Sequence, residues 1–117
     1  MTLLARALVI EQEGSCWALI SADLCYTGSE TVQEVRNAIH HRTGIAPAHV
    51  LLATTHTHAG PHDRHAPNWD RPLAELIADA VEMAYNARQP ARGAVGPGSS
   101  MAIRSTGVGW IGPLIRA

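Results

Sequence analysis

Three short apolar runs set the limits on this fold: ALVI at residues 7–10, WALI at 17–20 and VLLAT at 50–54. Each has the length of a strand and is too short for a helix. Only the polar stretch 11–15 separates the first two, which predicts a hairpin. Their apolar residues follow one another instead of alternating, which predicts strands covered on both faces by helices. The third run is expected to be an interior strand, with the site at its C-terminal end. Between the second and third runs the period changes. Val32, Val35 and Ile39 recur at helical spacing, a start near Ser29 or Thr31 is expected because Thr31 and Glu34 stand three apart as in a capping box, and Gly44 followed by Pro47 supplies a stop. A second helix is predicted from Asp70, with Pro72 in its first turn and Leu73, Leu76, Ile77, Ala80, Ala84 and Ala87 on its buried face; Pro90 ends it. Strand, strand, helix, strand, helix predicts an α/β layer: a sheet of three to four strands with two main helices packed on it.

Beyond residue 92 the periodicity fades, and six of the ten glycines fall in the last 26 residues. A further strand near Ala94 or Met101 is the most that stretch offers. Residues 1–99 are expected to form the folded domain and 100–117 a poorly structured or divergent tail. The full 117 residues suffice for a single domain. Nine basic against ten acidic side chains leave a net charge of −1, so the positive field that gathers nucleic acid or anionic lipid is missing and neither partner is expected. Cys16 and Cys25 stand nine apart, outside any C-x-x-C spacing, and are expected to be reduced, buried thiols. The apolar start is broken by Arg6 and has no small-residue cleavage site, and no run approaches the roughly 18 apolar residues of a membrane span. As written, the chain is expected to be soluble and untargeted, and cytoplasmic if expressed as given.

Four of the seven histidines, His56, His58, His62 and His65, lie within ten residues, with Asp63 among them. In an extended segment residues two apart share a side, so His56 and His58 are expected to face the same point. Neutral imidazole suits zinc, and catalytic zinc commonly takes three protein ligands and a water. Two histidines make half such a site, and the rest would come from His62, His65, Asp23 or residues outside the chain. Spacing alone leaves a polar strand end as the plainer reading. For His62 and His65 solvated loop positions suffice, and for His40, His41 and His49 a helix C-terminus and a loop do. Asp23 is either a turn-forming carboxylate or a group orienting a ligand imidazole. A barrel amidohydrolase needs more chain than this, and Gly60 stands where a metallo-β-lactamase-like His-x-His-x-Asp-His motif needs Asp.

The wording of three segments narrows the choice: ARALV at 5–9, LISADL at 19–24 and GIAPAHVLLATTHTHAGP at 44–61. Together they resemble the N-terminal domain of neutral/alkaline, non-lysosomal ceramidases over residues 3–97. The THTHAGP stretch is the specific part. The resemblance implies zinc-dependent hydrolysis of the amide bond of N-acylsphingosine (ceramide), with His56 as a zinc ligand and His58 as a neighbouring imidazole that contacts the reacting carbonyl or moves a proton. It also implies further ligands from downstream segments without counterpart here. The chain is accordingly expected to be an N-terminal piece, inactive alone and prone to self-association.

Overall fold

The computed structural model describes residues 3–61 and 70–93. Strands β1 (Ala5–Gln12) and β2 (Ser15–Ala22) form the expected hairpin, antiparallel from Ala5 opposite Ala22 to Gln12 opposite Ser15. The two residues between them, Glu13 (φ 51°) and Gly14 (φ 79°), both take left-handed backbone. Two positive φ values mark the type I′ turn, whose twist matches that of the strands it joins.

Helix α1 (Ser29–Thr43) follows, and Gly44 stops it at φ 76° with its N–H on the His40 carbonyl. The helix begins at Ser29, one of the two expected starts, but the expected capping box does not form. Gly28 is the N-cap, no side chain caps the helix, and Thr31 and Glu34 lie inside it. A short 3₁₀ turn (Pro47–His49) leads into β3 (Val50–Thr54), which runs parallel to β2 with Ala18 opposite Val50 and Ala22 opposite Thr54. Helix α2 (Leu73–Asn86) begins directly after Pro72, three residues later than predicted from Asp70. A mixed three-stranded sheet with two helices packed on it is thus an α/β fold.

Burial alternates along the hairpin. Ala5, Ala7, Val9, Ala18, Ile20 and Ala22 join Val35, Ile39 and the α2 residues Leu73, Ile77, Val81 and Ala84 in one core. Residues of the opposite parity do not. Leu8, Leu19 and Leu51 stand in one row across the three strands, with Ile10 beside Trp17 in the next. On that row Leu51 is 60% exposed and Leu19 40%, and Trp17 is 46% exposed. Two expectations therefore need correction among the described residues. The helices cover one face of the sheet, not both, and the strand order β1-β2-β3 puts β3 on an edge with β2 in the middle. Consecutive apolar residues signalled apolar chemistry on both faces without supplying a second layer. The open edge of β3 is partly closed by Arg36 of α1, whose Nε and Nη2 donate to the Val50 carbonyl at 3.3 and 3.2 Å.

The two helices are joined by charge. Arg42, in the last turn of α1, pairs with Glu75, with Asp79 at 2.5 Å and with Glu82 at 3.2 Å, and Arg71 holds the other Asp79 oxygen at 2.6 Å. Past α2, Arg88 Nε lies 3.0 Å from Glu11 Oε2, and its guanidinium covers the Tyr85 ring at 3.6 Å. No helix among the described residues is long and apolar enough to cross a membrane. The proposed strand near Ala94 or Met101 and the tail 100–117 lie outside the described residues.

Candidate metal centre

Parallel pairing of β2 and β3 brings two strand ends to the same edge, where open α/β sheets place their ligands. The chain leaving β2 turns at once, with Leu24 N–H bonded to the Ala22 carbonyl at 2.8 Å, and this delivers Cys25 beside the loop that leaves β3. The Cys25 peptide is gripped from two sides. Its N–H donates to the Pro61 carbonyl at 3.2 Å, and its carbonyl lies 2.7 Å from His56 Nδ1.

That contact fixes a tautomer. A carbonyl oxygen can only accept, so Nδ1 carries the proton and the lone pair is on Nε2, the arrangement that metal-ligating histidines use. His56 reaches the carbonyl from left-handed backbone, φ 56°, a region non-glycine residues enter at some cost. His58 presents its ring edge-on to His56, with centroids 4.7 Å apart. The two histidines meet, as the sequence suggested, but through a left-handed turn and not through strand alternation.

Cys25 Sγ and ring nitrogens of His56 and His58 all lie within 4.8 Å of one another, with Cys25 half-buried and both histidines exposed. This Cys/His/His group can hold a metal ion. Both cysteines are free and half-buried, not fully buried as expected. Cys25 was not among the ligands expected from the sequence, because its spacing from Cys16 marked it only as a buried thiol. The signal was topological: Cys25 and His56 sit three and two residues past the paired ends Ala22 and Thr54.

The other candidates part company with the site. Asp23 accepts the Leu4 N–H at 3.1 Å and pairs with Arg6 at 3.5 Å, so it clasps the strand ends. His49 Nδ1 donates to the Cys16 carbonyl at 3.1 Å while its ring stacks on Trp17, and His40 Nδ1 donates to the Ile45 carbonyl at 3.0 Å. His62, His65 and Asp63 lie outside the described residues. Gly60 is required by contact: a Cβ there would meet Thr57 Cγ2 at 2.8 Å and the Asp23 carbonyl at 3.2 Å. No protein-family profile, curated protein or solved structure matches the chain.

Proposed function

We propose that the chain carries the metal-holding part of a zinc-dependent hydrolase that splits the amide of N-acylsphingosine into fatty acid and sphingoid base, in the manner of neutral ceramidases. The observation that carries the reading is the convergence of Cys25, His56 and His58 at the C-terminal end of the parallel strand pair. The THTHAGP segment that resembles that family is the loop on which two of the three donors stand. Two imidazoles and a thiol suit zinc, whereas magnesium and calcium take oxygen donors.

Zinc bound there would lower the pKa of a coordinated water to about 7 and polarise the amide carbonyl. His56 offers Nε2 to the metal, held in aim by the Cys25 carbonyl. His58 is the neighbouring imidazole, exposed and placed to move a proton onto the departing amine. Gly60 and Pro61 hold the loop against the Asp23–Cys25 backbone. The lipid amide is the proposed substrate, and further ligands would come from segments downstream of this chain.

A second reading, a noncatalytic α/β domain that binds metal weakly, draws on the exposure of both histidines. Zinc titration of the chain and of His56→Ala, followed by a fatty-acid release assay on N-acylsphingosine, separates the two. Zinc-dependent release lost in His56→Ala establishes the hydrolase. One-to-one zinc binding without release assigns the chain only the metal-holding share. Failure to bind one zinc per chain overturns the proposal.

A further inference from the structure

The resemblance to ceramidases assigns no role to a sulfur atom, yet the geometry places one in the site. Cys25 contributes the only donor in the group that is half-buried and the only one that oxidation can remove. Its backbone is fixed at both the N–H, by Pro61, and the carbonyl, by His56. Motion of the thiol is thus limited to its side-chain torsion. The same carbonyl that orients His56 belongs to the residue that carries the sulfur, so one peptide unit sets the direction of two donors.

We propose that Cys25 binds the metal as a thiolate beside His56, and that occupancy of the site is therefore controlled by peroxide. This rests on the metal-binding half of the reading above and adds regulation to it. Metal binding displaces the thiol proton, leaving a sulfur that is both ligand and nucleophile. Hydrogen peroxide is the oxidant. The thiolate attacks one peroxide oxygen, an S–O bond forms as the O–O bond breaks, and two electrons pass from sulfur to the departing oxygen. That oxygen leaves as hydroxide and takes a proton from solvent to become water. The product is a sulfenic acid, neutral and a poor ligand, and the metal is left with nitrogen donors alone.

Cys16 cannot rescue the product by forming a disulfide. It sits opposite Glu11 near the far end of β2, and the stretch of strand from Cys16 to Ala22 spans about 20 Å, far beyond the ~7 Å limit between bridged Cα atoms. Recovery would need an external thiol, which returns sulfenic acid to thiol through a mixed disulfide.

Cobalt(II) is the probe, because a thiolate ligand gives it a near-ultraviolet charge-transfer band that imidazole does not. The band is expected in the wild-type chain and in Cys16→Ser, and absent in Cys25→Ser. Cobalt affinity in Cys25→Ser should fall at least about tenfold, since losing a ligand costs no less than losing the group that orients one. One equivalent of peroxide should bleach the band and release the ion, and dithiothreitol should restore both. Circular dichroism of Cys25→Ser checks that the variant is folded. A folded Cys25→Ser that binds cobalt with wild-type affinity, or a wild-type complex without the band, overturns the proposal. So does metal retention after Cys25 is oxidised. The band without amide hydrolysis supports this proposal while removing the hydrolase reading; hydrolysis indifferent to Cys25→Ser removes this proposal alone.

Discussion

Gly60 lies where the histidine loop packs against the Asp23 carbonyl of the segment leaving β2, and its missing side chain allows that close approach. Gly60→Ala is expected to lift the loop, costing about 1–3 kcal/mol of stability as overpacking does and weakening zinc binding with it. Adding Thr57→Ser removes the methyl that lies 2.8 Å from the new Cβ and should recover part of both losses, measured by denaturant titration and calorimetry. At the hairpin turn the logic runs the other way. Glu13 occupies left-handed backbone in a position that favours Asn, so Glu13→Asn is expected to stabilise the chain by up to about 1 kcal/mol, read as a rise in the urea midpoint at unchanged slope.

The two helices meet through the Arg42–Asp79–Arg71 group, and acid should part them. Burial pushes the Asp79 carboxyl up, but hydrogen bonds from Arg71 and Arg42 outweigh it and hold it below its ordinary value. A carboxyl whose folded pKa is depressed stabilises fully above its unfolded value and loses that contribution as pH falls through the folded one. The advantage of wild type over Asp79→Asn, about 1 kcal/mol at pH 7 for so exposed a pair, should therefore shrink steadily in denaturation experiments as the pH falls below the ordinary carboxylate range. None of this network was legible in the sequence, because it depends on how α1 and α2 are placed side by side. The elements themselves were legible: short apolar runs of strand length against a period of 3.6, Gly44 as a stop and Pro72 near a start are local signals. Which face of the sheet the helices cover, and that β3 lies on an edge, are tertiary facts that apolar runs do not encode. For the site, His56 and His58 stood out in a motif, whereas Cys25 became visible only once β2 and β3 were paired.

Taken whole, the described molecule has one covered sheet face and one that bears Leu8, Ile10, Trp17, Leu19 and Leu51. A contiguous apolar face of this kind favours association. The chain is expected to self-associate with rising concentration, and Leu19→Lys with Leu51→Lys should suppress this in sedimentation experiments without altering zinc binding. The site at the sheet's end acts on the whole chain too. Cys25 and His56 are 31 residues apart in sequence, and everything between them, including α1, lies within that span. A metal bound by both is a removable cross-link. It closes the loop and withdraws conformational freedom from the unfolded chain, an effect that reaches about 3–4 kcal/mol for a permanent link of this length. At a hundredfold excess over the dissociation constant the ion adds about 2.7 kcal/mol, so melting should shift upward by about 10 °C or more with zinc and return with a chelator. The shift should be absent in His56→Ala. Metal supply would then decide how long the folded chain survives, whether or not any substrate is present.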